Sequence, residues 1–250
     1  MIVIFTGLPG SGKSYKLGRT VVELLYRNRK AYEKAEKSLC KEFGCDPDEG
    51  AFHKHASPPR RIIYSNLKMS LAVEHEFPEY ICYWTELREL TPLRDCDVII
   101  DEVATYFDAR LWETLSLEMR RWLAQHRKFG IDIYGTSQDF AQVDKAFRRL
   151  TSDLLYLAKL AGSRDISATR PPPRFIWGIS LVRELDPTVY DELKSKFSAT
   201  GWPKFMIISR AGTEIFDTRA EVKMSSALPL RHLERVCELP NCSFHKTMHV

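Results

Sequence analysis

Apolar and polar positions along this chain fall into blocks of two kinds. Met1-Ile2-Val3-Ile4-Phe5-Thr6 is a short apolar run, the mark of a buried strand. From Ser14 to about Lys41, apolar Leu17, Val21, Leu24 and Leu25 recur at helical spacing and predict one long helix with those residues inward. Beyond Tyr26 the same stretch turns charged (Arg27, Arg29, Lys30, Glu33, Lys34, Glu36, Lys37), so it is expected to project into solvent. Cys40 to Pro59 carries Asp46-Pro47-Asp48-Glu49-Gly50 and Pro58-Pro59 and reads as an inserted loop, about residues 40–60. Strands are predicted at Arg61–Leu67, Asp97–Asp101, Ile131–Gln138 and Leu154–Ala158. Trp112–Phe129 reads as a helix, with Leu115, Met119, Trp122 and Leu123 on one face and Gly130 as its stop.

Alternating strands and helices through about residue 161 predict an α/β fold: a parallel sheet with helices on both faces. Its ligand belongs at the carboxyl ends of the strands, where Gly10, Asp101 and Gln138 fall. After Arg164 the pattern changes. Arg170-Pro171-Pro172-Pro173-Arg174 is a stiff break. Phe175–Leu185 and Lys204–Ser209 read as strands of an antiparallel extension, and Thr213–Arg219 is expected to pair with one of them. The expected organisation is a nucleotide domain over 1–165, a β-rich extension over 166–220 and a tail over 221–250.

The first strand runs directly into Gly7-Leu8-Pro9-Gly10-Ser11-Gly12-Lys13-Ser14, a complete Gly-x-x-x-x-Gly-Lys-Ser loop. A strand that feeds a glycine-rich turn into a helix aims several backbone N–H groups at one point, which suits a phosphate. Gly7, Pro9, Gly10, Ser11, Gly12, Lys13, Ser14 and the adjoining Tyr15 are therefore the expected ATP-binding residues. Lys13 is expected to reach the β- and γ-phosphates and Ser14 to hold Mg²⁺ through its hydroxyl. The strand Asp97–Asp101 ends in Asp101-Glu102. A place beside the first strand is expected to bring Asp101 near Ser14 as the second Mg²⁺ ligand, with Glu102 activating water. Gln138, at another strand end, is expected to contact the γ-phosphate or the attacking water.

Composition narrows the class but does not choose within it. With 44% hydrophobic and 28% charged residues, the 250-residue chain is ordinary for a globular protein. A net charge of +4 permits nucleic-acid contact without arguing for it. No apolar run of about 18 residues marks a transmembrane helix. The apolar start lacks a basic lead, so it reads as a core strand and not a signal peptide. Six cysteines do not make a disulfide scaffold at this length, and a cytoplasmic location with free thiols or metal ligands is expected.

Gln125-His126-Arg127-Lys128-Phe129-Gly130-Ile131-Asp132-Ile133-Tyr134-Gly135-Thr136-Ser137-Gln138 is more distinctive than the phosphate loop. Together with Arg148 and the strand containing Tyr64-Ser65-Asn66, it resembles the zonular occludens toxin family over roughly residues 1–165. That family contains assembly ATPases of filamentous phages, with a His-Arg pair, a Gly-x-Asp-Ile strand and a terminal Thr-Gln, here Ser137-Gln138. The resemblance implies a P-loop NTPase fold of the RecA/FtsK type. It also implies a homo-oligomeric ring and ATP hydrolysis coupled to assembly or extrusion of a single-stranded DNA phage. DNA or a DNA–protein complex is the implied load, and the inner membrane the implied place of work. Many members carry a transmembrane helix after the ATPase domain. This sequence shows none, so either a separate membrane partner recruits it or the membrane is not needed. The toxin activity in the family's name is attributed to a peptide outside the ATPase domain, and no residue here points to it.

Ring ATPases complete a site with an arginine from the neighbouring subunit. Arg120, Arg121, Arg127, Arg148 and Arg149 are the candidates, with Arg127 placed just before the Gln138 strand. In the tail, Cys237, Cys242, His245 and His249 have spacings that would suit a compact Zn²⁺ knuckle. Cys40, Cys45, His53 and His55 form a weaker group, and Cys82 and Cys96 read as core. Two other functions fit the same loop: a nucleotide-gated scaffold without fast turnover, and a small-molecule kinase.

Overall fold

The computed structural model describes residues 1–43, 58–110, 115–162, 176–187, 202–209 and 215–216. One sheet of eight strands organises them: β1 (Ile2–Thr6), β2 (Ile63–Ser65), β3 (Ile81–Tyr83), β4 (Asp97–Ile100), β5 (Asp132–Ser137), β6 (Asp153–Gly162), β7 (Ile176–Leu185) and β8 (Lys204–Ser209). Their order across the sheet is β3-β2-β4-β5-β1-β6-β7-β8. From β3 to β6 every neighbouring pair is parallel, and β6-β7 and β7-β8 are antiparallel. The fold is thus the expected mostly parallel α/β sheet, and the antiparallel extension continues it.

β1 is apolar from Ile2 to Phe5, ends in Thr6 and is buried at every position, as a central strand covered on both faces must be. Its side chains alternate between two cores. Val3 and Phe5 join Leu17, Val21, Leu24 and Leu25 of α1 (Lys13–Phe43) on one face. Ile2 and Ile4 join the other, which is closed by α3 (Val103–Tyr106), α4 (Leu117–Ala124) and α5 (Lys145–Leu150) through Val103, Phe107, Met119, Trp122, Leu123 and Phe147. A six-residue helix, α2 (Leu71–Glu76), buries none of its residues. The inner face of β7 and β8, with Val182, Met206 and Ile208, packs into the α1-side core. Phe205 and Ile207 on the opposite face are exposed.

Several expectations need correction. β5 lies between β1 and β4, so the Asp101 strand does not adjoin the phosphate-loop strand. The predicted Trp112–Phe129 helix is, among its described residues, only α4; Gln125–Gly130 is a run of turns. Trp122 is core as expected. β3 and α2 were not foreseen. Thr213–Arg219 was expected to pair within the extension. In its described part, residues 215–216, Phe216 instead bridges antiparallel to Met69, and the Ser70 N–H donates to the Ile215 carbonyl at 2.8 Å.

Candidate active site

The phosphate loop leaves β1 at Gly7. That residue has φ 147°, and a Cβ there would lie 2.2 Å from the Leu157 carbonyl oxygen of β6, so the loop can start this close to β6 only with glycine. α1 begins at Lys13, has no acidic residue in its first turn and makes its first helical bond from Lys16 N–H to the Gly12 carbonyl at 2.9 Å. Its free N–H groups and helix dipole therefore meet an anion without competition. Leu8, Pro9 and Gly10 form the exposed tip, Ser11 is buried, and Ser14 is exposed at the helix start. The Tyr15 side chain turns away from the loop into the α1-side core, so what it offers a nucleotide is its backbone. A cavity of about 340 Å³ opens between Leu8–Ser11 and Tyr156–Lys159 of β6.

Lys13 is buried, and its Nζ donates to the Gly7 carbonyl at 2.8 Å and the Leu8 carbonyl at 3.3 Å. Burial lowers its pKa below that of an ordinary lysine, and the charges of Glu102 and Asp101 oppose that shift. The acidic pair that follows β4 thus favours the charged form of the loop lysine, although β5 lies between β4 and β1. Burial likewise raises the Asp101 carboxyl above the usual carboxylate range, against the Thr136 hydrogen bond and the Lys13 charge.

β5 supplies what joins the two halves. The Thr136 hydroxyl donates to Asp101 Oδ1 at 2.5 Å and accepts the Glu102 N–H at 3.0 Å. Two residues on, Gln138 Nε2 donates to Glu102 Oε1 at 3.3 Å. From the end of β2, Asn66 accepts the Asp101 N–H at 2.8 Å and donates to the Asp101 carbonyl at 3.1 Å. Glu102 itself has φ 53° and ψ 64°, a left-handed conformation that costs a non-glycine residue about 1–3 kcal/mol. The Thr136 contact is one of the bonds that hold it there. Thr136 and Asn66 carry no role in the sequence reading. The signal open to it was position: within the predicted strand Ile131–Gln138, Thr136 is two residues before Gln138, hence on the same face.

Arg127 stands elsewhere. Its Nη2 donates to Ser152 Oγ at 3.2 Å, and the Ser152 N–H donates to the Ile2 carbonyl at 2.8 Å. That is the amino end of β1, about 15 Å of strand away from the phosphate loop, so Arg127 does not join Lys13 and Gln138 within one chain. Its neighbour His126 is a core residue, buried, with Nδ1 2.8 Å from the Leu123 carbonyl and a pKa lowered by burial. Cys82 and Cys96 are buried, and burial pushes both thiols up to about 12, as unreactive core cysteines require. Cys40 is buried too. Cys45, His53, His55, Cys237, Cys242, His245 and His249 lie outside the described residues, and among the described residues no cluster of metal-ligating side chains forms. Mg²⁺ at a nucleotide takes one or two protein oxygens plus phosphates and water. The exposed Ser14 hydroxyl and the Asp101 carboxylate are donors of that kind.

A glycine loop feeding a lysine-headed helix, a strand followed by two carboxylates and an inserted strand followed by glutamine are the pattern of the P-loop NTPase fold. The zonular occludens toxin (Zot) family model matches residues 1–165, and the chain belongs to that family. Among solved structures it is similar to the N-terminal domain of zonular occludens toxin from Neisseria meningitidis, at 19% identity. That match covers 86% of this chain and 98% of that chain, with a TM-score of 0.46. It is also similar to the genome packaging NTPase B204 from Sulfolobus turreted icosahedral virus 2 in complex with ATP-gammaS: 11% identity, 82% and 95% coverage, TM-score 0.42. The flagellar accessory protein FlaH from Methanocaldococcus jannaschii is similar at 11% identity, 74% and 77% coverage and a TM-score of 0.39. No curated protein matches the chain. No helix among the described residues is long and apolar enough to cross a membrane.

Proposed function

We propose that this chain is a Mg²⁺-dependent ATPase that drives assembly, packaging or extrusion of a phage with a single-stranded DNA genome. The observation that carries the chemistry is the set of contacts tying Gln138 to Glu102 and Thr136 to Asp101 beside the phosphate loop. Family membership supports the phage role.

Backbone N–H groups of Gly10, Gly12, Lys13 and Ser14 would surround the β-phosphate, while the Ser11 N–H donates to the Leu8 carbonyl at 3.1 Å. Lys13 would exchange two neutral carbonyl partners for phosphate oxygens, which form stronger charge-assisted bonds. Ser14 and Asp101 would hold Mg²⁺, which when bound offsets charge on the β- and γ-phosphate oxygens. Glu102 takes a proton from water as the water oxygen attacks the γ-phosphorus. The bond to the bridging oxygen breaks, its electron pair leaves with ADP, and phosphate is the second product. Gln138 donates to the water or a γ-oxygen and so transmits the state of the γ-phosphate to Glu102.

In this reading the chain works as a homo-oligomeric ring on DNA or a DNA–protein complex, either alone or with a membrane-bound assembly partner. The placement of Arg127 at the far end of β1 means that it serves catalysis only from a neighbouring copy. Phosphate release from ATP by wild type, by Lys13→Ala and after Mg²⁺ chelation tests the enzyme. Release that persists in either of the last two conditions overturns it.

A further inference from the structure

We propose that Ser180, on β7 and outside the family-matched region, is a positioning residue for the phosphate loop: it sets the direction in which Gly12 offers its N–H. The identity of the ligand rests on the ATPase reading; the geometry does not.

Ser180 is fully buried, and its hydroxyl donates to the Ser11 carbonyl at 2.8 Å. The peptide joining Ser11 to Gly12 is planar and trans, so its carbonyl and its N–H point in opposite directions. A carbonyl held against β7 turns the Gly12 N–H away from β7. The rest of the extension closes over the same residue. Gly12 has φ 90°, and a Cβ there would lie 2.9 Å from Ile208 Cδ1 and 3.1 Å from Met206 Cε of β8. Ser180 is itself fixed from both sides, in register with Lys159 of β6 and Met206 of β8. The Ser11 hydroxyl is buried without a hydrogen-bond partner among the described residues and does not itself hold the loop.

With the Ser180 hydroxyl removed, the buried Ser11 carbonyl loses its partner, and the peptide is free to rotate its N–H out of the cradle. Coupling of this kind is reciprocal: a bound phosphate chain that engages the Gly12 N–H also secures β7 and β8 against the loop.

The test compares wild type, Ser180→Ala, Ser180→Thr and Val182→Ala. Val182 shares the inner face of β7 and controls for looser packing of the extension. Binding of a fluorescent ATP analogue is expected to weaken about three- to tenfold in Ser180→Ala, with kcat within twofold, and to recover in Ser180→Thr. Val182→Ala is expected to melt lower without that loss of affinity. In the nucleotide-free protein, the Gly12 ¹H–¹⁵N resonance should move in Ser180→Ala and stay in Val182→Ala. If Ser180→Ala does not fold, Ser180→Cys, a weaker donor of similar shape, replaces it. An affinity loss no larger than that of Val182→Ala, with an unmoved Gly12 resonance, overturns the inference. Wild type that binds no nucleotide overturns the ATPase reading instead and leaves the Gly12 resonance to decide this one.

Discussion

Gln138 reaches Glu102, with its Nε2 3.3 Å from the carboxylate Oε1. The contact exists because β5 is inserted between β1 and β4, which sets the end of β5 between the phosphate loop and the acidic pair. A donor aimed at charge that develops on the γ-phosphate is worth more in the transition state than in the ground state. Gln138→Ala is therefore expected to lower kcat about 100-fold and leave ATP affinity nearly unchanged. Single-turnover rates and equilibrium binding check this. A loss in affinity alone would make Gln138 a ground-state ligand only.

Thr136 is the shared partner of both acidic residues, donating to Asp101 and accepting from the Glu102 N–H. Thr136→Val keeps the shape but removes the hydroxyl, leaving an amide and a carboxylate short of a partner. The expected cost is about 1–3 kcal/mol of stability, together with a fall in kcat. Thr136→Ser should recover most of both. Denaturant unfolding and phosphate release measure the pair of effects.

Asp101 works against the fold that holds it. Burial keeps its carboxyl above the usual range, so the folded chain retains that proton to a higher pH than the unfolded chain does. The stability contribution accordingly falls as pH rises through the interval between the ordinary carboxylate value and the raised one. Asp101→Asn lacks that step and still accepts from Thr136. At neutral pH the nucleotide-free variant should be about 1 kcal/mol more stable than wild type, a gain of roughly 2–4 °C in Tm, and inactive. Melts from pH 4 to 7 should show the gap widening with pH. A variant that melts below wild type at pH 7 would contradict the assignment.

The strand, loop and helix expected to bind phosphate were legible because one contiguous segment encodes them: four buried apolar residues and a threonine, then glycines at fixed offsets, then lysine. Asp101 and Glu102 were legible as polar residues closing an apolar strand. Which strand lies beside β1 was not, because chain order does not fix spatial order in a parallel sheet, and the inserted β5 separates the two. Thr136 reads from sequence as an ordinary β-former, since its hydroxyl acquires meaning only from a carboxylate 35 residues earlier. Ser180 is 169 residues from its partner, beyond any local pattern. β3 has only three residues, Ile81–Tyr83, too few for periodicity to register, and its pairing with β2 makes it a strand. The predicted helix over 112–129 overran because Phe129 extends the apolar spacing past the turns in which His126 is buried.

At the opposite end of the sheet, Arg61 organises a polar cluster. It donates to Asp97 at 2.8 and 3.0 Å, to Asp132 at 3.0 Å and to the Gly130 carbonyl at 2.8 Å. Asp97 is fully buried, so Arg61→Ala leaves a buried charge short of its main partner, at an expected cost of about 3–5 kcal/mol. Because these contacts lie at the amino ends of β4 and β5, the folded fraction should bind ATP as wild type does. Thermal denaturation with binding at a temperature where the variant is folded checks both halves. A selective loss of ATP binding would mean that the two ends of the sheet are coupled.

The most direct measurement is phosphate release from ATP, with and without single-stranded DNA, by wild type and Glu102→Gln. The expected result is Mg²⁺-dependent release by wild type, accelerated by DNA and lost in Glu102→Gln, which still binds ATP. Tight ATP binding by wild type with no release under either condition would contradict the motor and leave a nucleotide-gated scaffold or a kinase awaiting its acceptor.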